Sequence, residues 1–247
     1  MFVLFHFACL SSQLCPQEES SALLHFKTQL ITDITIYNED VTYGEICPHG
    51  YPKMRTWHNG TDCCSWMGVT CHSLSGHVTG LDLSCSGLVG DIPSQISHLS
   101  ELQSLDLSWN DGLRWKETIL KSLLQNATAL REIVLEDNDM SCISPIASPL
   151  SLIANMSSSI VTTLSLGNTG IRGHLTSHIL CLPNLYELNL YGNENIQVYV
   201  PKLNCSTSLL SVLDLSQCQF PVSQIPSSFS NLTHLTSLYL FSSELNG

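Results

Sequence analysis

The chain has 247 residues and a formal net charge of −12 at pH 7, with nine lysines and arginines against 21 aspartates and glutamates. So few cations cannot form the basic stripe that neutralises phosphates, which argues against nucleic-acid binding. Eleven cysteines, six of them between residues 15 and 85, indicate an oxidising compartment rather than the cytosol.

The chain opens with an apolar run over residues 2–10, followed by Ser11 and Ser12. The run is too short to cross a bilayer and has the small polar flank of a secretory signal, although it lacks a charged start. We predict a signal peptide over residues 1–14. No later apolar run approaches the length of a membrane span.

Residues 22–30 have helical periodicity, with Leu23, Phe26 and Leu30 on one stripe. Two glutamates precede this segment and Lys27 lies near its end, which suits the dipole of a helix. Residues 31–55 lack periodicity and contain two glycines and two prolines, so we predict a loop there.

A cysteine-rich segment over residues 61–71 follows, and Trp57 and Trp66 are available to cover the structure that comes next. A stack of repeats exposes an apolar end, which a disulfide-stapled cap can close. We therefore predict an N-terminal cap over residues 15–76.

The pattern L-x-x-L-x-L-x-x-N/S/T/C then returns seven times over residues 77–247. The second leucine of each L-x-L pair stands at Leu83, Leu107, Leu135, Leu166, Leu190, Leu215 and Leu240. One such unit cannot bury its own leucines, so neighbouring units must stack and share a core. We predict an α/β fold, a right-handed leucine-rich repeat solenoid (horseshoe) of about seven repeats with the last one incomplete. A parallel β-sheet would line its concave face.

Two steps between repeats are 28 and 31 residues, longer than the others of 24 or 25. Residues 117–130 have helical spacing and are expected on the convex side of one repeat. Residues 141–159 are rich in serine and proline, and we expect them to loop out on a flank, as insertions in repeats commonly do.

Three motifs carry a family resemblance: C-P-x5-A-L-L-x-F-K from Cys15, the W-H-N-G-T-D-C-C-S-W-M-G-V-T-C segment from Trp57, and G-H-V-T-G-L-D-L-S-C-S from Gly76. Together they closely resemble the cap and first repeat of plant leucine-rich repeat receptor-like proteins. The L-x-G-x-I-P segment over residues 88–93 is similar to the repeats of the same plant class, which implies a second short strand beside the main sheet.

The resemblance implies the N-terminal part of a receptor ectodomain at the extracellular side of the plasma membrane; the chain as given would be secreted. Such a receptor senses a peptide, protein or glycan in plant defense or development. It has no kinase of its own and acts through adaptor and co-receptor kinases. Two alternatives stay open: a secreted inhibitor similar to polygalacturonase-inhibiting proteins, or a truncated product without independent function.

The cap resemblance also implies disulfides Cys15–Cys63 and Cys64–Cys71, with Cys47 and Cys85 as a weaker pair. Separately, Cys181 and Cys205 lie one repeat apart in the sequence. Equivalent positions of stacked repeats are about 5 Å apart, within disulfide range. Cys218 stands where other repeats have Asn110, Asn138 and Asn193, so we expect a buried, free thiol, while Cys142 has no assigned partner.

Five N-x-S/T sequons support secretion and predict solvent-facing, glycosylated asparagines. They are Asn59, Asn126, Asn155, Asn204 and Asn231.

The concave face is where binding is expected, because strand residues that alternate with the leucines point away from the core. Early repeats carry the Asp and Ser of L-D-L-S, whereas later ones carry aromatic residues that commonly anchor interfaces. The ligand-binding candidates are Trp109, Glu136, Tyr191, Tyr239 and Phe241. The alternatives are that the aromatic rings shield neighbouring strands or a glycan, and that the acids are simply solvated.

Catalytic motifs are absent: the sequence has no G-x-S-x-G, phosphate-binding loop, H-E-x-x-H or G-x-G-x-x-G. A zinc site from Cys63, Cys64, Cys71 and His72 lacks the usual C-x2-C spacing and is disfavoured. We therefore expect a binding protein with no cofactor and no metal, and not an enzyme.

Overall fold

The computed structural model describes residues 14–33, 47, 51–145, 148–155, 160–200, 202–203, 205, 208–221 and 224–243. Residues 1–13 of the predicted signal peptide and the sequon at Asn204 lie outside these ranges. Within the described part of the chain, no helix is long and apolar enough to cross a membrane.

Short strands separated by short helices make up the described chain. The α-helices are α1 Gln17–Gln29, α2 Glu117–Asn126, α3 Pro149–Ala154 and α4 Ser177–Leu180, and the 3-10 helices are Lys53–Thr56, Cys63–Ser65, Ser94–His98 and Ser227–Asn231. The strands are β1 Ile31–Thr32, β2 Val69–Cys71, β3 Val78–Asp82, β4 Leu88–Asp91, β5 Ser104–Asp106, β6 Gly112–Arg114, β7 Glu132–Val134, β8 Thr163–Ser165, β9 Gly173–His174, β10 Glu187–Asn189, β11 Ile196–Gln197, β12 Val212–Asp214 and β13 Ser237–Tyr239.

The main sheet has the strand order β2-β3-β5-β7-β8-β10-β12-β13. Strand β2 runs antiparallel to β3, and the other neighbours are parallel, with the same position of each repeat in register. The leucines of this register face the core: Leu105, Leu164 and Leu188 are 0% exposed, and Leu238 of the last strand is partly buried. The predicted parallel sheet of stacked repeats is thus confirmed.

A second set of short strands follows the main ones, as the plant-type segment implied. Strand β4, inside the L-x-G-x-I-P segment, pairs in parallel with β6, and β9 pairs in parallel with β11. Strand β1 joins β4 from the cap in the antiparallel direction. The expectation of a loop throughout residues 31–55 was therefore wrong at β1, because the edge of β4 gives this segment a hydrogen-bonding partner.

The cap closes the first repeat with aromatic and apolar side chains. Leu23 and Phe26 of α1 are buried, and Trp57 stacks on Trp66 with ring centroids 5.4 Å apart. Gly68 precedes β2 in the left-handed region at φ +79°, and a Cβ there would lie 2.2 Å from the Asp82 carbonyl oxygen. Only glycine allows this close approach of the cap to the first strand.

The two long repeats differ in how well the sequence predicted them. Helix α2 forms as expected and buries Leu120, Leu123 and Leu124. Residues 141–159, expected to loop out, instead contain α3, which buries Leu150 and Ile153 and packs between α2 and α4. Ser148 caps this helix by accepting a hydrogen bond from Ser151 N, so part of the insertion extends the core.

Candidate ligand-binding surface

The side chains that alternate with the leucines define one face of the main sheet, here called the outer sheet face. The residue between the two leucines of each L-x-L pair forms a first column: Asp82, Asp106, Val134, Ser165, Asn189, Asp214 and Tyr239. The residue two positions later in each repeat forms a second column: Ser84, Ser108, Glu136, Gly167, Tyr191, Ser216 and Phe241. The strands hold these residues in register, so each column runs across successive repeats.

In the first two repeats the polar side chains of the outer sheet face hydrogen-bond to groups of the same repeat. Asp106 Oδ1 accepts hydrogen bonds from Ser108 N at 2.9 Å and Ser108 Oγ at 2.6 Å. Asp82 does the same with Ser84 and also accepts from Lys53 Nζ at 2.6 Å. The aspartate and serine of L-D-L-S thus cap the strand end, and their polar groups are already engaged.

These carboxyl groups have different pKa values because only Asp82 accepts a hydrogen bond from a lysine. Burial is the main cause that raises the pKa of Asp106 above its ordinary value. Burial acts in the same direction on Asp82, but hydrogen bonds from Lys53 and Ser84 together hold its pKa below the ordinary value.

In every repeat, the residue that follows the second column has a left-handed backbone, and the chain turns inward there. At this position φ is positive for Cys85, Trp109, Asp137, Asn168, Gly192, Gln217 and Ser242. The next side chain is then buried and bonds the turn: Asn110 Nδ2 donates to the Leu83 and Leu107 carbonyls, both at 2.9 Å. Its Oδ1 accepts from Ser86 N and Leu88 N.

Cys218 occupies this inward position as expected. It is buried, its Sγ donates to the Leu190 carbonyl at 3.4 Å, and it forms no disulfide. Burial raises the pKa of its thiol to about 12, so the group is a neutral structural donor. Cys142, also without a disulfide, is exposed.

Glu136 crosses two neighbouring repeats. Its Oε1 accepts hydrogen bonds from Ser165 Oγ and from Asn189 Nδ2, the latter at 2.9 Å. Asn189 Oδ1 in turn accepts from Tyr191 N at 3.0 Å. Gly167 lies between them, and a Cβ there would be 3.6 Å from Glu136 Cγ, an ordinary van der Waals contact. Glu136 therefore supports Tyr191 rather than being merely solvated.

Asp137, next to Glu136, is 9% exposed. Its Oδ1 accepts a hydrogen bond from Asn168 Nδ2, while Oδ2 is buried and has no hydrogen-bond partner among the described residues. Burial raises the pKa of this carboxyl, and the charges of Glu136 and Asp111 add to the effect.

The aromatic candidates in the later repeats are exposed. Tyr191 is 42% exposed, Tyr239 53% and Phe241 74%. Tyr239 is the last residue of β13, and Phe241 follows two residues later. Phe241 N donates a hydrogen bond to Ser216 Oγ at 3.1 Å. The structure brings these three side chains to one end of the outer sheet face, whereas Trp109 is partly exposed in the second repeat.

Sequence reasoning missed two features near these candidates. Tyr186, 53% exposed, precedes β10 and was hidden because it lies outside the alternating columns. Asp111 was missed because it follows the inward asparagine, where the repeat pattern assigns no function; its charge is among the causes that raise the pKa of Asp137.

The cysteines of the cap and of the later repeats form disulfides in the structure. The pairs are Cys15–Cys63, Cys47–Cys85, Cys64–Cys71 and Cys181–Cys205. The last pair links successive repeats with Cα atoms 5.3 Å apart. With Cys63, Cys64 and Cys71 all in disulfides, their sulfurs are not the thiolates that the disfavoured zinc site requires.

Four sequon asparagines lie in the described ranges, and each is exposed: Asn59, Asn126, Asn155 and Asn231. Asn126 Nδ2 donates to the Ser97 carbonyl at 3.1 Å, and Asn231 Nδ2 donates to the Leu203 carbonyl at 3.2 Å. An amide nitrogen carries two hydrogens, so this bond leaves one of them for a glycan.

Comparison with known protein families matches both parts of this architecture. The leucine rich repeat N-terminal domain matches residues 16–35 and 46–72, and the Leucine Rich Repeat family matches residues 209–232.

Among solved structures, the chain is similar to the ectodomain of the Arabidopsis receptor kinase HAESA, which was solved in complex with a peptide hormone ligand. The TM-score is 0.59 at 20% identity, covering 92% of this chain and 33% of that one. At this identity the likeness shows the fold alone.

Curated relatives extend the match along the whole chain. Receptor-like protein 9DC1 of Solanum pimpinellifolium is 31% identical over an alignment covering 100% of this chain and 34% of its own length. Receptor-like protein 6 of Arabidopsis thaliana is 29% identical over 95% of this chain and 28% of its own length. The chain thus spans about a third of the length of these relatives. Along its whole length the chain is similar to the leucine-rich repeat receptor-like proteins of plants.

Proposed function

We propose that this chain is a ligand-recognising part of an extracellular receptor ectodomain, acting in plant defense or development. The observation that carries the proposal is the group formed by Tyr191, Tyr239 and Phe241 on the outer sheet face. These rings are 42–74% exposed, and the leucines beside them face the core: Leu188 and Leu190 are buried, whereas Leu238 and Leu240 are partly buried. Aromatic side chains held on a rigid scaffold are common anchors of protein interfaces.

Two further observations support recognition over catalysis. In the first repeats the polar groups of the outer sheet face are bonded to each other, as in Asp106 with Ser108, so this part is suited to a structural role. The HAESA ectodomain, which shares the fold, was solved with a peptide hormone, so a stack of this kind can present a peptide. We extend this to a peptide or protein ligand for the present chain.

The location and signalling partners follow from the same proposal. Secretion through a signal peptide over residues 1–14 would deliver the chain to an oxidising compartment, where its disulfides persist. The whole receptor would signal through adaptor and co-receptor kinases. Sequons at Asn59, Asn126, Asn155, Asn204 and Asn231 would carry glycans.

The test compares two surfaces on the secreted chain. Tyr191→Ser, Tyr239→Ser and Phe241→Ser are combined in one variant, and Tyr199→Ser is the matched control, because Tyr199 is 58% exposed but lies outside the main sheet. Both are immobilised and exposed to plant extracellular fluid. We expect the triple variant to lose a bound species that the wild type and control retain. Equal retention by all three chains contradicts the proposal.

A further inference from the structure

A polar groove lies between the cap and the first two repeats, at the end of the 3-10 helix Ser94–His98. Helix α1 of the cap and helix α2 both pack on this short helix. The groove has a volume of about 500 Å³, within the range of small-molecule sites. We call it the cap groove, and the residues that line it include Glu18, His77, His98, Ser100, Gln125 and Asn126.

One wall of the cap groove carries a glycosylation sequon, Asn126-Ala127-Thr128. Asn126 is the last residue of α2 and is exposed. Its Nδ2, the atom to which a glycan is joined, donates to the Ser97 carbonyl at 3.1 Å, and Ser97 also lines the groove. The second hydrogen of this nitrogen is left for a sugar. The first sugar on Asn126 therefore starts at the groove wall.

The cap groove also offers polar groups that the fold does not use. The side chains of Glu18, His98, Ser100 and Gln125 are exposed, and none of them hydrogen-bonds to a described residue. They supply a carboxylate, an imidazole, a hydroxyl and an amide. The hydroxyl and N-acetyl groups of an N-acetylglucosamine both donate and accept hydrogen bonds, so they match this set.

Asn231 provides a comparison within the same chain. It ends the 3-10 helix Ser227–Asn231, and its Nδ2 donates to the Leu203 carbonyl at 3.2 Å, just as Asn126 donates to Ser97. It precedes β13, however, which is four strands beyond the β7 that follows Asn126, or roughly 19 Å along the sheet. A first sugar on Asn231 therefore has the same attachment but no cap helix beside it.

We propose that the cap groove seats the first N-acetylglucosamine of a glycan on Asn126, which then links α1 to α2 by hydrogen bonds. This inference rests on the secretion in the proposed function and gives one glycan a place in the fold. The sugar is attached when Nδ2 loses a proton and displaces the diphosphate from C1 of an activated sugar donor of the secretory pathway.

The first experiment looks for the contact itself. The full chain is secreted from plant cells, glycopeptide mass spectrometry measures occupancy, and an endoglycosidase trims each glycan to its first N-acetylglucosamine. We expect a nuclear Overhauser effect between the N-acetyl methyl group on Asn126 and the ring protons of His98. Thr128→Ala, which removes the Asn126 sequon, should abolish this signal, and Thr233→Ala, which removes the sequon of Asn231, should preserve it.

The second experiment measures stability. Thr128→Ala keeps Asn126 and its bond to Ser97, and the Thr128 side chain is exposed, so the loss of the sugar is its main effect. We expect it to lower the melting temperature by about 2–4 °C, as the loss of one or two hydrogen bonds does in a chain of this size. Thr233→Ala should lower it by less than about 1 °C. Gln125→Ala should lower it in the glycosylated chain but not in the Thr128→Ala background.

Four results would overturn the proposal. They are an unoccupied Asn126 in a secreted chain that carries sugar on Asn231, no signal to His98, equal losses from the two threonine variants, and an equal effect of Gln125→Ala in both backgrounds.

The outcome is separable from that of the proposed function, because the capture test changes only Tyr191, Tyr239 and Phe241. If the sugar contacts the cap groove while capture fails, the groove stands and the ligand surface falls. If capture succeeds while the sugar on Asn126 makes no contact with the groove, only this inference is overturned.

Discussion

His77 Nδ1 lies 2.8 Å from Glu19 Oε1, joining the cap helix to the start of the first repeat strand across 58 positions of sequence. The other carboxylate oxygen of Glu19 accepts from Val78 N at 2.7 Å. Glu19 is 5% exposed, so one buried acid holds both the side chain and the backbone that enter β3.

This contact predicts a stability that depends on pH. The hydrogen bond with Glu19 raises the pKa of His77 above its ordinary value, despite an opposing effect of burial. A raised folded-state pKa stabilises the folded chain fully below the ordinary value of about 6.5, and the gain is lost as pH rises through the raised value. We expect the free energy of unfolding to be larger below pH ~6 than above pH ~8.

His77→Gln should flatten this pH dependence, whereas His58→Gln, at an exposed position of the cap, should preserve it. Chemical denaturation at both pH values measures the difference. An unchanged slope in His77→Gln would show that the pair contributes nothing to the linkage.

Replacing the buried inward side chain should affect the free energy of unfolding very differently in two neighbouring repeats, at Asn193 and at Cys218. Asn193 is 0% exposed and bonds the Leu166 and Leu190 carbonyls as well as Thr169 N and Ile171 N. Asn193→Ala should lower the free energy of unfolding by about 2–4 kcal/mol, since buried backbone groups would lose their partners.

The matched change is Cys218→Ser in the next repeat. Ser243 already serves the equivalent position, where its Oγ donates to the Leu215 carbonyl at 3.0 Å. We expect Cys218→Ser to change stability by less than about 1 kcal/mol. Urea denaturation of both variants provides the comparison, and equal losses would contradict the assigned role of the inward side chain.

The disulfide between Cys181 and Cys205 should stabilise the repeats that lie beyond the cap. Replacing both cysteines by serine should cost about 3 kcal/mol of unfolding free energy, as expected for a closed loop of 24 residues. Peptide mapping without reduction should recover this pair from the wild type. Recovery of both residues as free thiols would remove the basis for the prediction.

Replacing Glu136 should lower the free energy of unfolding, although this residue looks like an ordinary surface acid in the sequence. Glu136→Ala removes hydrogen bonds from Ser165 and Asn189 and should cost about 1–3 kcal/mol. Glu187 lies on the same sheet face, and its side chain makes no hydrogen bond to a described residue, so Glu187→Ala should cost less than about 0.5 kcal/mol. Thermal unfolding compares them, and similar melting temperatures would argue against a structural bridge.

The repeat architecture could be predicted because the leucines report it directly. Alternation puts Leu105 and Leu107 inside and Asp106 outside, and the repeat spacing places the same alternation in every neighbour. The burial of Trp57 and Trp66 in the cap was also accessible, since an apolar solenoid end needs large side chains to cover it.

Other features depend on contacts that a periodic pattern does not contain. The helix from Pro149 to Ala154 was hidden by the serine and proline content around it, although Ser148 and Pro149 are favourable residues for a helix start. The bridge from Glu136 to Asn189 spans the repeat between them, which contributes Ser165 as a second donor to the same carboxylate oxygen. Only the stacked arrangement reveals that combination.

The most direct measurement is photo-crosslinking from the outer sheet face. The replacement Tyr239→p-benzoylphenylalanine puts the probe in the aromatic group, and Tyr199→p-benzoylphenylalanine puts it on a tyrosine of similar exposure outside the main sheet. After irradiation in plant extracellular fluid, we expect the probe at position 239 to crosslink a species that the probe at position 199 does not. No species at position 239, or the same species at both positions, would contradict a ligand surface at Tyr191, Tyr239 and Phe241.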